Sequence, residues 1–217
     1  MGCEVQTYSF ISQKGGAGKS TLARQFSVLS SETETTLLVD RDPQGTTSKW
    51  WARRQEIEPT LERPDLLTSE GLDLSRAIEA LRGKPGKLFV DTRPAVEEPE
   101  AEAARISDLI VVPVRTSSDD LEAIGDTLKI LRRLNKRAVI VVNAARNDTR
   151  ATSARAALSR FPFPVCPHHL ADRTIYQDAA LEGRGVGEMK GANARDALAE
   201  LRRVWDWVRE EAASHEH

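Results

Sequence analysis

The stretch Thr7-Tyr8-Ser9-Phe10-Ile11-Ser12-Gln13-Lys14-Gly15-Gly16-Ala17-Gly18-Lys19-Ser20-Thr21 decides the fold. Residues 7–12 read as an apolar strand, three glycines follow, and residues 18–31 carry the period of a helix. Strand, Gly-rich loop and helix form the context in which Gly-x-x-x-x-Gly-Lys-[Ser/Thr] cradles phosphate. Residues without side chains let backbone N–H groups approach phosphate oxygens, and the helix N-terminus adds its positive dipole end. Here the first glycine of that pattern is replaced by Gln13, and a second lysine, Lys14, opens the loop. The positions of Lys19 and Ser20 suit a lysine reaching the outer phosphates of ATP and a hydroxyl on Mg²⁺. The expected nucleotide cradle is therefore Lys14, Gly15, Gly16, Ala17, Gly18, Lys19, Ser20 and Thr21.

Outward from the loop, short Val/Ile/Leu runs alternate with helix-period stretches. Strands are expected at residues 36–39, 66–67, 87–90, 109–114 and 138–142, with a last short one near Val165. Helices are expected at residues 46–55, 72–82, 119–134, 152–160, 174–182 and 193–211. The strands are nearly continuous apolar runs rather than alternating ones, which marks strands buried on both faces. The expected fold is a single α/β domain over residues 1–217, a doubly wound and mainly parallel sheet flanked by helices. Ligands in such sheets bind at the carboxyl ends of the strands. Ser12, Asp40, Asp91 and Asn143 each follow an expected strand, so they are expected to converge on one crevice.

The composition narrows the function classes. The 217 residues are 40% apolar and 29% charged, with a net charge of −2, so any nucleic-acid contact needs a local patch. The longest apolar runs are far shorter than a membrane span requires, and residues 1–7 carry no signal-peptide pattern, so a cytoplasmic protein is expected. The two cysteines, Cys3 and Cys166, have no metal-ligand spacing. Local basic clusters do occur: Arg132, Arg133, Lys136 and Arg137; Arg146, Arg150, Arg155 and Arg160; and Arg202 with Arg203.

The loop with its early lysine resembles the deviant Walker A motif of the ParA/MinD family of ATPases, and the small ParF-like ParA proteins in particular. Val39-Asp40-Arg41-Asp42-Pro43-Gln44-Gly45 resembles that family's Asp-x-Asp-Pro-Gln motif, and Leu88-Phe89-Val90-Asp91 a Walker B strand. Arg41 and Arg93 depart from the residues usual at their positions. The tail, from Arg173 through Ala180 to Gly183, Val186 and Glu188, follows the small-ParA pattern.

The resemblance implies the following roles. Lys14 reaches across a dimer interface to the partner's nucleotide, so that ATP binding makes a homodimer. Asp42 activates the attacking water and, with Lys14 and Lys19, carries catalysis. Ser20, Asp40 and Asp91 hold Mg²⁺ and its water shell, and Asn143 meets the adenine edge. The implied activity is slow ATP hydrolysis stimulated by a ParB-like adaptor. The implied partner is non-specific duplex DNA, with the protein on the nucleoid, not on a membrane, and a plasmid, chromosome or other cargo being positioned. A membrane-bound regulator resembling MinD would want an amphipathic basic tail. A metabolic enzyme on the same fold would want a second, substrate-binding constellation. An iron–sulfur carrier would want a Cys-x-x-Cys pair. None of these features is read in the sequence.

Overall fold

The computed structural model describes residues 5–61, 63–67, 74, 78, 84–94 and 98–214. Seven strands form one all-parallel sheet: β1 (Val5–Phe10), β2 (Thr36–Asp40), β3 (Asp65–Leu67), β4 (Gly86–Asp91), β5 (Leu109–Val114), β6 (Ala138–Ala145) and β7 (Val165–Ala171). Their spatial order is β3-β2-β4-β1-β5-β6-β7. The chain leaves β1 in one direction and later returns past it to β5. The crevice where connections diverge therefore opens at the carboxyl end of β1, where the Gly-rich loop begins.

The flanking helices are α1 (Lys19–Ser31), α2 (Thr46–Gln55), α3 (Glu98–Ile106), α4 (Ser118–Arg133), α5 (Asp148–Leu158), α6 (Ile175–Leu181) and α7 (Ala192–Ala213), with a 3-10 turn at Val186–Glu188. Helix α3 was not expected: its apolar side is built largely from small alanines among glutamates, and Pro99 sits in its first turn, where proline is tolerated. The helix expected at residues 72–82 lies mostly outside the described residues, although Leu74 and Ile78 are helical. Strand β6 runs three residues beyond its expected end, so Asn143 lies within the strand instead of after it. Polar Asn143 interrupts the Val/Ile run, and that hid the continuation.

The two faces of the sheet are packed by separate clusters. On one face Tyr8, Phe10, Phe26, Phe89 and Trp205 join residues of α1 and α7. Trp205 stands 5.0 Å from Phe26 and 5.3 Å from Tyr8, ring centre to ring centre. On the other face Ile110, Val112, Ile140 and Val142 meet Leu128 and Leu131 of α4 and Leu158 of α5. Val204, Trp205 and Val208 of α7 are thus core residues, not a stripe facing a membrane. Among the described residues, no helix is long and apolar enough to cross a membrane.

The helices that border the crevice begin in two ways. Ser117 caps α4 by accepting from the Asp120 N–H, and Asn147 caps α5 by accepting from the Arg150 N–H. By contrast, α1 and α2 start from glycines in the left-handed region, Gly18 and Gly45, with no side-chain cap. The first N–H groups of α1 are thus open to a ligand in the crevice, whereas at α2 the Ser48 N–H is taken by Asp40.

Candidate functional site

The loop between β1 and α1 is shaped by two left-handed glycines, Gly16 (φ 76°) and Gly18 (φ 107°). A Cβ on Gly18 would lie 2.0 Å from Asn143 Nδ2, so only glycine fits. Asn143 donates from Nδ2 to the Ala17 carbonyl at 2.8 Å. In this structure the asparagine holds the loop against β6 through that bond.

Lys19 is buried and curls back over its own loop, donating to the Ser12 carbonyl at 3.2 Å and towards that of Lys14 at 3.5 Å. Its ammonium therefore stands at the centre of the loop. Gly15 and Gly16 face open space. Lys14 points outward and pairs with Asp120 of α4, Nζ to Oδ1 at 3.1 Å. Two lysines of one loop thus have opposite environments: Lys19 enclosed, Lys14 at the rim.

The acids come from adjacent strands. Asp40 ends β2 and Asp91 ends β4, and they are register partners in the sheet. Both are buried. Asp40 Oδ2 accepts from the Ser48 N–H at 2.7 Å and the Ser48 hydroxyl at 2.9 Å, and Oδ1 accepts from the Asp42 N–H at 3.1 Å. Asp40 therefore organises the turn that carries Asp42. Asp42 Oδ1 accepts from the Gln44 N–H at 3.0 Å, closing an Asx turn. Arg41 is led away from the crevice by an ion pair with Glu102 of α3 at 2.9 Å.

Asp91 is fully enclosed. Thr47 of α2 donates to its Oδ2 at 2.7 Å, while Oδ1 has no partner within bonding distance among the described residues. Burial pushes its carboxyl up from the ordinary range to about 6, with the Asp40 charge adding to the rise and the Thr47 and Ser20 hydroxyls and the Arg24 guanidinium opposing it. An orphaned buried carboxylate oxygen beside a serine hydroxyl is a costly arrangement in an empty protein. It suits a hard, hydrated cation such as Mg²⁺, which binds through one or two carboxylates, a hydroxyl and phosphate oxygens. The residues Ser20, Asp40 and Asp91 fit that role, with Asp91 offering the open oxygen.

This environment carries a pH prediction. A carboxyl raised by burial favours the fold fully below its unfolded value near 4, and that contribution is lost as the pH climbs through about 6. Without metal, Asp91→Asn is therefore expected to melt above wild type near pH 7.5, by roughly 1–3 kcal/mol. The advantage should shrink towards pH 5. Added Mg²⁺ with ADP should stabilise wild type and leave the variant unmoved. Thermal melts over that range check it, and a metal-free wild type that melts above the variant at pH 7.5 would overturn the burial account.

Beside the loop, at the carboxyl ends of β5, β6 and β7, lies a cavity of about 740 Å³ lined by Arg115, Ser117, Asp120, Arg146, Asn147 and Asp172, among others. It adjoins the loop through Asp120, and its volume accommodates a nucleoside. Four residues that the sequence reading did not single out belong to the site: Thr47 and Ser48 on the acids, Asp120 on Lys14, and Arg24. Arg24 donates from Nε to the Ser20 carbonyl at 2.9 Å, and burial lowers its pKa while Asp91 opposes that fall. An arginine on the apolar face of α1 was the signal available for it.

The profile of the CobQ/CobB/MinD/ParA nucleotide binding domain matches residues 8–186. The chain is 31% identical over 202 residues, 88% of each protein, to maintenance of carboxysome distribution protein A of Gloeobacter kilaueensis. It is 32% identical over 154 residues to a probable plasmid-partitioning protein ParA of Thermus thermophilus, covering 55% of this chain and 48% of that protein. Among solved structures, an ATP complex of McdA from Cyanothece shares the fold with a TM-score of 0.76 at 16% identity, over 100% of this chain and 99% of that one. MinD of Pyrococcus horikoshii complexed with Mg-ADP superimposes with a TM-score of 0.73 at 15% identity, over 97% and 98% of the two chains. The motif, the all-parallel sheet and the profile agree: the chain belongs to the CobQ/CobB/MinD/ParA family of nucleotide-binding domains.

Proposed function

We propose that the protein is an ATP-driven positioning switch of the ParA type. The observation that carries this reading is the pair of lysines in one loop, Lys19 enclosed at its centre and Lys14 at its rim. A single nucleotide site needs only the first. A second lysine facing outward suits phosphates shared with another subunit, so ATP supplies the differential affinity for a dimer that a switch requires. Lys14, Gly15, Gly16, Ala17, Gly18, Lys19, Ser20 and Thr21 surround the phosphates. Ser20, Asp40 and Asp91 hold the Mg²⁺ shell, which neutralises charge on the phosphates. The nucleoside occupies the neighbouring cavity, and Asn143, beside Ala144 of its lining, meets the adenine edge. Asp42 orients the attacking water, and an adaptor protein stimulates the slow hydrolysis.

The ATP dimer binds duplex DNA without sequence preference, through phosphate contacts alone. Arg132, Arg133, Arg146, Arg150 and Arg203 are exposed and have no ion-pair partner among the described residues. Arg155, Arg137 and Arg202 are engaged internally, with Thr152, with the end of α7 and with Glu32 respectively. The protein works on the nucleoid in the cytoplasm. Its cargo is a plasmid, a chromosome region or a large assembly; the relatives named for carboxysome distribution, similar over most of the chain, favour a large protein assembly.

The test is retention on random-sequence duplex DNA, with ATP–Mg²⁺ against ADP–Mg²⁺, over a salt series. Retention with ATP alone, falling steeply as salt rises, is expected. No retention in either state, with ATP binding confirmed, would remove the DNA step and leave a nucleotide switch with another docking surface.

A further inference from the structure

The hydroxyl of Thr47 donates to Asp91 Oδ2 at 2.7 Å, and it comes from the first turn of α2. Both residues are completely buried. The next residue, Ser48, donates twice to Asp40. One helical turn therefore grips both carboxylates, and it follows directly on the turn that carries Asp42. A carboxylate can rotate about its last bond with either oxygen forward. Here the Thr47 bond fixes that rotation, so Oδ1 is the oxygen left open. Nothing in a phosphate loop or an acid-ended strand requires a hydroxyl at this position.

We propose that Thr47 is a positioning residue that sets the orientation of Asp91 for the Mg²⁺ shell and ties occupancy of that shell to the docking of α2. The proposal rests on the reading of Asp91 as a magnesium-shell acid. A partner of this kind orients a ligand without touching the metal, and its loss typically lowers metal affinity roughly 10- to 100-fold. With Asp91 held in this orientation, Oδ1 would face the Mg²⁺ shell, and an occupied shell would fix Asp91 and, through the Thr47 bond, the start of α2 and the Asp42 turn.

The pair Thr47→Ser and Thr47→Ala tests this, because both lose the methyl group and differ only in the hydroxyl. The readouts are the Mg²⁺ concentration that half-saturates binding of a non-hydrolysable ATP analogue, and hydrogen exchange of the residue 47–50 amides with and without Mg²⁺. Thr47→Ser is expected to stay within about threefold of wild type, and Thr47→Ala to need about 10-fold more Mg²⁺ or beyond. Mg²⁺ should slow exchange at the start of α2 in wild type and the serine variant but not in the alanine variant. At saturating Mg²⁺ the alanine variant should recover most of its kcat. Where the alanine variant does not fold, Thr47→Val, which fills the same volume without a donor, takes its place. Equal Mg²⁺ requirements for the variants with and without the hydroxyl would overturn the proposal. A wild type whose nucleotide binding ignores Mg²⁺ would instead overturn the reading of Asp91 itself, so the two failures are distinguishable.

Discussion

Lys14→Ala is expected to bind ATP as a monomer. Wild type with ATP–Mg²⁺ should sediment as a dimer, whereas the variant should stay monomeric at the same concentration and retain nucleotide affinity within a few-fold. The reason lies in the two environments of the loop. Lys19 sits inside the loop on the Ser12 carbonyl, which on the proposed reading places it against the nucleotide of its own chain. Lys14 stands at the rim, with its side chain 38% exposed and paired, among the described residues, with Asp120. Its loss therefore removes little from the monomer, since a partly exposed ion pair contributes about 0.2–1 kcal/mol. In an ATP dimer the same ammonium would lie against phosphate away from water. Truncating one member of a buried charged pair there costs about 2–5 kcal/mol, which weakens the dimer by roughly 30-fold or more. Sedimentation velocity with ATP, alongside a nucleotide-binding titration, checks both halves. A variant that dimerises as wild type does would end the reading of Lys14 as a residue acting in trans.

The same pair of lysines shows what a sequence can and cannot disclose. The loop was legible because its chemistry is local: glycines, a lysine and a hydroxyl at fixed spacing need only a strand before and a helix after. The acids were legible for a similar reason, since Asp40 and Asp91 each close an apolar run and parallel strands in register bring such ends together. Partners that arrive through tertiary packing were not legible. Asp120 reaches Lys14 across 106 positions of chain, and its place in the first turn of α4 reads as ordinary helix-terminal charge. Thr47 reads as a helix-start residue until α2 is packed against β4. Asn143 shows a further limit: its position next to an apolar run was legible, but its contact with the loop was not. A side chain's position along a strand tells which face it takes, and only the packed loop shows that its amide is spent on the Ala17 carbonyl. Helix α3 escaped because small alanines among glutamates carry its period with little apolar bulk, next to a proline that reads as a loop.

Asp42 is where the largest loss of turnover is expected. Its backbone N–H is tied to Asp40 and its Oδ1 to the Gln44 N–H, while its Oδ2 has no partner among the described residues. The side chain is half-buried at the mouth of the crevice, so that oxygen is free to accept a hydrogen bond from water beside the phosphates. Asp42→Ala should lower kcat by about 100-fold or more, the range for removing a group that positions or deprotonates an attacking water. ATP and Mg²⁺ should still bind, because Lys19, Ser20 and Asp91 are untouched. The dimer should then persist for as long as ATP is present, and DNA retention should become insensitive to the stimulating adaptor. Asp42→Asn discriminates between two kinds of loss. It keeps the Asx-turn acceptor for Gln44 and removes only the charge, so a defect as deep as that of alanine assigns the effect to the carboxylate and not to a collapsed turn. Phosphate release under single-turnover conditions, with dimer lifetime followed in parallel, provides the check. Turnover near wild type in both variants would mean that water is oriented elsewhere in the crevice, and Asp42 would be left with the turn that Asp40 already holds.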